Sequence, residues 1–217
     1  SADEKGASAI ANEVSTGASK RMALKAAEDL AQLSLTTADN LAAAYKRAKF
    51  NQDALLLNEQ ATLESVMELA PNHPALKEQI ATLQGLLKEK GLSNQKEIDA
   101  AMKAQAALLG VAPVKRIELT AEEKAAAKMF PRTTAKVKQT GYGVLQTVTK
   151  ELLEKHQLIE NGRSVMAHAG DIAKLTCTGK NSVLDIKKMQ DAQFPDADSL
   201  TNIIRYMDVL KEAGLVE

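Results

Sequence analysis

Between Lys124 and Lys150 stand six basic residues, Lys124, Lys128, Arg132, Lys136, Lys138 and Lys150, and no acidic one. Such side chains neutralise phosphates and release condensed counterions, which gives sequence-independent affinity that weakens as salt rises. In the same stretch Gln146, Thr147 and Thr149 carry short or bidentate hydrogen-bonding groups suited to base edges in a major groove. Tyr142 can rest on a nucleic-acid backbone, and Arg163 can reach a minor groove. The competing reading is a solvated cationic face with no ligand.

Other chemistry is poorly provided for. His73, His156 and His168 lack the HExxH spacing of a zinc site and no pattern brings them to Cys177. His73 lies in a proline-flanked turn, and His156 stands at a helix end where it favours the last carbonyls. His168 falls on an expected strand. Cys177, among apolar and Thr neighbours, reads as a small buried residue and not a nucleophile. Gly179-Lys180-Asn181-Ser182 is similar to the end of a phosphate-binding loop. Lys174 stands where the preceding glycine is required, so the Gly-Lys pair reads as a strand-to-helix turn. The expectation is a protein with no catalytic residues, no metal and no cofactor.

The chain has 217 residues, with 28 basic and 28 acidic side chains and 45% hydrophobic residues. That composition excludes a disordered tail and a chain that is basic throughout. The neutral total conceals an uneven distribution. Residues 1–114 hold 12 basic and 14 acidic residues, 115–190 hold 14 and 8, and 191–217 hold 2 and 6. A single cysteine excludes an internal disulfide and a multi-cysteine zinc site. No apolar run has the length of a membrane span, and a cytoplasmic setting is expected. Residues 1–19 show no signal-peptide architecture and are expected to be a flexible lead.

These residues need elements to position them. Arg21–Leu33 is rich in helix formers, and Thr37 can cap a helix from Ala38. Leu41, Ala44, Tyr45, Ala48, Leu55 and Leu56, then Leu63, Val66, Met67 and Ala70, mark one face of that helix until Pro71. Leu76, Ile80, Leu83, Leu86 and Leu87 mark the next, ended by Gly91. Ser93 opens another that closes at Gly110. The stretch 61–76 resembles a tetratricopeptide-repeat boundary, but no second copy follows and helix–turn–helix packing explains it. Residues 20–112 therefore predict an Ala-rich helical hairpin or bundle.

Gly110–Pro113 reads as a linker and 114–119 as a short strand. Thr120 with Glu123 forms a capping box for a helix to about Met129. A short helix over 134–139, a turn on Thr140-Gly141-Tyr142-Gly143 and a longer helix over 144–156 follow. Leu158-Ile159 and Asn161-Gly162 then signal a β-hairpin. This order, with Gln146-Thr147-Val148-Thr149-Lys150, Leu152-Leu153 and Leu158-Ile159-Glu160, resembles the recognition helix and wing entry of MarR-type winged helix-turn-helix proteins. Gln157 stands where such families carry glycine. The C-terminal part repeats the scheme. A strand over 174–178, a helix capped by Asn181 or Ser182, a break at Pro195 and a helix capped by Asp198 or Ser199 lead to Gly214-Leu215-Val216-Glu217. A shift of 57 residues aligns Leu152-Leu153 with Val209-Leu210 and Leu158-Ile159-Glu160 with Leu215-Val216-Glu217. A second wing would lie beyond Glu217.

The expectation is thus a mainly α protein, with a helical domain over 20–112 and winged-helix-like units over 113–169 and 170–217. What the resemblance and the charge imply is a non-enzymatic DNA-binding protein. Its candidate contacts are Lys128, Arg132, Lys136, Lys138, Tyr142, Gln146, Thr147, Thr149, Lys150 and Arg163. The second unit, ringed by Asp191, Asp196, Asp198, Asp208 and Glu212, would repel phosphate and suits a protein partner or a second copy of the chain. The alternative is a protein–protein adaptor that binds no nucleic acid.

Overall fold

Alanine-rich segments with few breakers become long helices once other helices cover their seams. Three do so here: α1 (Ala2–Ser34), α2 (Leu41–Ser65, continued by a 3-10 turn over Val66–Leu69) and α3 (Pro74–Leu109). The computed structural model describes residues 2–141, 147–172, 177–194 and 196–217, without the side chains of 2–4, 138, 140 and 171. The fold is mainly α, and the chain divides into two compact units, Ser1–Ile117 and Glu118–Glu217.

In the first unit α1 runs parallel to α3 and antiparallel to α2. Ser8 bonds Gln79, Asn94 bonds the Met22 carbonyl and Gln105 bonds the Thr36 carbonyl, so contacts advance together along α1 and α3. Arg21 with Glu59 and Asp29 with Asn51 run oppositely on α1 and α2. The buried positions of α1 recur every 11 residues, as 7/18/29 and 11/22/33, and those of α3 as 76/87/98 and 80/91/102. Such a repeat, at 3.67 residues per turn, keeps two long helices in contact along their length and favours a right-handed supercoil. Many of these positions are small: Ala7, Ala11, Ser15, Ala18, Ala26 and Gly91. Gly91 therefore lies inside α3, where a Cβ would press on Met22 and Leu56, and does not end a helix.

A polar layer crosses the middle of this core. Asp29, Asn51, Gln52 and Asn94 are 5%, 3%, 1% and 1% exposed. Asp29 accepts from Asn51 Nδ2 at 2.8 Å and from Gln52 Nε2 at 3.1 Å, and Asn94 Nδ2 donates to Gln52 Oε1 at 3.0 Å. Burial pushes the Asp29 carboxyl above its ordinary value, against the pull of the two amides. About two turns away, Arg21 grips the buried Glu59 with two bonds of 2.6 Å. Below it, Leu33, Leu41, Tyr45, Ile98 and Met102 form an apolar cluster. Tyr45 donates to Asp99, and burial with that carboxylate raises the phenol to about 12.

Several expectations change here. Residues 2–19 belong to α1, with Ala7, Ala11 and Ala18 buried, and are not a flexible lead. The helix expected from Ala38 starts at Leu41, because Asn40 Oδ1 accepts from the Thr37 N–H and holds a turn. One helix spans the two expected over 76–110, and Leu86 is 55% exposed. The expected strand 114–119 does not form. Val114 and Ile117 instead lay their side chains on the bundle core, and the Val114 N–H meets Met102 Sδ at 3.3 Å.

The second unit comprises α4 (Ala121–Ala126), α5 (Ala135–Thr140), α6 (Lys150–Lys155), β1 (Ile159–Glu160), β2 (Arg163–Ser164), α7 (Ala169–Asp171), α8 (Val183–Gln193) and α9 (Leu200–Glu212). The Thr120–Glu123 capping box opens α4, and Ser182 with Asp185 makes another at α8. Ser199, not Asp198, caps α9. Asn161 and Gly162 both have positive φ, 50° and 77°, as the two-residue turn between β1 and β2 requires.

A backbone ladder joins segments far apart in sequence. Residues 131–134 lie between 177–179 and 215–217: Thr133 N–H bonds Cys177 O, Gly179 N–H bonds Pro131 O, Arg132 and Glu217 exchange both bonds, and Thr134 N–H bonds Leu215 O. Residues 118–217 form one compact unit. The 57-residue correspondence has a structural counterpart. The Leu158 N–H bonds Leu153 O and the Leu215 N–H bonds Leu210 O, each at 2.8 Å, closing α6 and α9 in the same way. The intervening residues are Gln157 at φ 58° and Gly214 at φ 69°. Only glycine adopts that region without a steric cost. Gln157→Gly is expected to stabilise the second unit by about 0.5–1 kcal/mol, read as a higher urea midpoint at unchanged slope.

Candidate nucleic-acid interface

The cationic segment is built by a helix stop followed by an extended chain. α4 ends at Ala126, and Pro131 keeps the chain extended into the ladder. Exposure alternates along it. Phe130 and Arg132 face solvent while Pro131 is buried and Thr133 half-buried, as one side of a strand requires. Lys124, Lys128, Arg132 and Lys136 are all exposed. Arg132 has Thr178 opposite on one side and Glu217 on the other. Its guanidinium lies across Gly179, where a Cβ would sit 2.7 Å from Arg132 Nε. Gly179 also has φ 77°, so both backbone and space call for glycine there. The ladder thereby carries the exposed Lys180 to the same place, a residue that spacing alone did not bring to this segment.

The rest of the expected set is dispersed. Within the described part of the helix expected over 144–156, α6 starts at Lys150, since Thr149 is extended (ψ 158°) and caps it by accepting from the Leu152 N–H. Thr147 and Thr149 are exposed, yet Thr149 is engaged at the helix start. Glu151 beside it is held below the usual carboxylate range by its own backbone N–H and the Thr149 hydroxyl. A carboxylate at that helix start opposes a phosphate. Lys150 pairs with Glu154 at 3.6 Å. Arg163 does not tip the hairpin; it lies on β2, in register with Glu160. Tyr142, Gln146 and the side chain of Lys138 lie outside the described residues, as do Pro195 and 174–176 of the expected strand.

The histidines are held by ordinary structural contacts. His73 Nδ1 caps α3 by accepting from the Leu76 N–H. His156 and Lys155 on α6 both reach Glu212 on α9, and these two partners keep its carboxyl below the usual range. His168 stacks on Phe194 with ring centres 3.9 Å apart and bonds Asp196 at 3.1 Å. Asp198 is buried, accepting from the Ala167 and His168 N–H groups at 2.7 and 3.0 Å, so it ties a loop and adds little to the outer field. Cys177 is buried with its thiol toward the Ile172 carbonyl. Among the described residues no three His, Cys, Asp or Glu side chains converge as metal ligands, and no helix is long and apolar enough to cross a membrane. No protein-family model, curated protein or solved structure matches the chain.

Proposed function

We propose that this chain binds nucleic acid through residues 128–136, extended over 130–134 and entering α5 at Ala135, and through Lys180, using charge on the phosphate backbone and not base readout from a helix. The observation that carries the reading is a set of exposed cations gathered around the ladder: Arg132 on its middle segment, Lys128 before it, Lys136 after it at the start of α5, and Lys180 beyond the partner segment. A backbone already held by hydrogen bonds loses less freedom on meeting a phosphate strand than a loose loop would. The order 132–133, α5, α6, β1–β2 is that of a winged-helix unit, and 178, α8, α9, 216 follows the same order. We read the second unit as two such copies sharing one ladder, with duplex DNA as the ligand first expected. A cytoplasmic setting goes with this reading, as does a helical unit that engages a protein partner or a second copy of the chain.

Lys128→Glu with Arg132→Glu is expected to weaken binding to a labelled oligonucleotide at least tenfold at low salt, and to reduce the salt slope by about two. Fluorescence anisotropy at several salt concentrations measures both. Unchanged affinity and slope would contradict the reading.

A protein–protein adaptor is the second reading. It is favoured by exposed leucines on the helical unit: Leu24, Leu86, Leu92 and Leu108 are 66%, 55%, 54% and 80% exposed. On that reading the wild-type chain binds no oligonucleotide, and Leu24→Glu with Leu92→Glu should release a protein partner.

A further inference from the structure

Phe130 is 53% exposed, and it does not stand alone. It shares the outward face of the extended segment with Arg132, two residues on. The antiparallel bridge between Arg132 and Thr178 pairs the two segments, and the turn after Gly179, which carries Lys180, is held between bonds to Pro131 and to Met129, the residues on either side of Phe130. The Gly179 N–H to Pro131 carbonyl bond, at 2.8 Å, and the Val183 N–H to Met129 carbonyl bond, also 2.8 Å, fix the two segments at that point. A half-exposed aromatic ring thus shares this edge with exposed cations from two distant parts of the chain, beside backbone held in place by hydrogen bonds.

That grouping suits one ligand better than a duplex. In a duplex the bases are stacked on one another and offer no free face to a protein ring. Single strands expose base faces, and aromatic side chains flanked by cations bind them by stacking while the cations follow the phosphates. A base stacked on Phe130 would leave its neighbouring phosphates within reach of Arg132 and Lys180. No donor or acceptor pattern is needed for this, so the preference would be for strandedness and not for sequence.

We propose that the face formed by Phe130, Arg132 and Lys180 is a binding site for single-stranded nucleic acid, with Phe130 as the stacking platform. The proposal rests on the nucleic-acid reading above and names the ligand class for the same site.

The test is anisotropy of the full chain with labelled oligo-dT and with a labelled duplex of equal length. Wild type, Phe130→Ala, Phe130→Tyr and Arg132→Glu are compared, with circular dichroism to confirm that each variant is folded. Oligo-dT is expected to bind tighter than the duplex. Phe130→Ala should weaken oligo-dT binding about tenfold, in line with the loss of one stacked base, and leave duplex binding unchanged. Phe130→Tyr should retain the affinity, and Arg132→Glu should weaken both ligands. A duplex preference, or equal loss on both ligands in Phe130→Ala, would overturn the single-strand site and leave the broader reading standing. Binding of neither ligand by wild type would overturn both.

Discussion

Replacing Gln52 with leucine is expected to lower the stability of the helical unit by about 3 kcal/mol, more than an ordinary polar-to-apolar change at a buried position. Gln52 is 1% exposed and belongs to both halves of the polar layer, donating to Asp29 and accepting from Asn94. Leucine would leave the Asp29 carboxylate with Asn51 as its remaining amide donor, in a site from which water is excluded. The isosteric Asp29→Asn is expected to cost less than Gln52→Leu near neutral pH, because it removes the buried charge and keeps an oxygen for Asn51, although its Nδ2 then faces the Gln52 Nε2 donor. The pH dependence follows from the direction of the Asp29 shift. Its carboxyl is raised in the folded chain above the ordinary 3.8, mainly by burial. Between 3.8 and the folded value the native state holds the proton that the unfolded chain has lost, so stability is fully present below that window and falls as pH rises through it. Lys25 and Glu28 face the same carboxyl from α1, one favouring and one opposing its charge. Urea unfolding followed by circular dichroism across acid to neutral pH should show the wild type losing stability with rising pH in that window. Asp29→Asn should lack that component.

Thr133→Pro is expected to disrupt the second unit, by about 3 kcal/mol or more. Thr133 is in the middle strand of the ladder, where its N–H bonds the Cys177 carbonyl at 3.0 Å. Proline removes that donor, and its ring crowds the strand between two hydrogen-bonded neighbours, a place where proline is found essentially only at edges or bulges. The natural Pro131, two residues earlier, is tolerated because the ladder uses its carbonyl, which accepts from Gly179. Hydrogen exchange read by mass spectrometry should show peptides from 131–134, 177–183 and 215–217 exchanging fast in the variant. Peptides from α1, α2 and α3 should keep their wild-type protection. Unchanged protection of the ladder would show that these bonds contribute little to the unit.

What was legible in the sequence follows from how locally each feature is specified. The Thr120–Glu123 capping box, the Ser182 and Ser199 caps and the Asn161-Gly162 turn involve residues a few positions apart; the box and the turn lie where spacing placed them, and each cap is one of the two neighbouring residues that spacing offered. The long α1 was not legible through residue 19, because its buried seam is made of Ala7, Ala11, Ser15 and Ala18, which carry little hydropathy contrast. The unbroken α3 was missed for a related reason. Gly91 reads as a stop, but its missing side chain is what lets Met22 and Leu56 approach. In the second unit the helix expected through Thr149 fails because Thr149 is itself a cap, a role that its neighbours Gln146-Thr147-Val148 obscured. The ladder was beyond reach, since it pairs residues 132, 178 and 217 and no local pattern records that pairing. Lys180 and Phe130 became candidates only through it.

The most direct test of the account is protection of individual lysines from a small amine-reactive acetylating reagent, in the full chain with and without saturating oligo-dT, read by mass spectrometry. Lys124, Lys128, Lys136 and Lys180 should be modified several-fold more slowly with the oligonucleotide bound. The exposed Lys20, Lys77 and Lys96 of the helical unit should react at unchanged rates. Protection of Lys20, Lys77 and Lys96 instead, or no protection at any lysine, would contradict the assignment of nucleic-acid binding to this face.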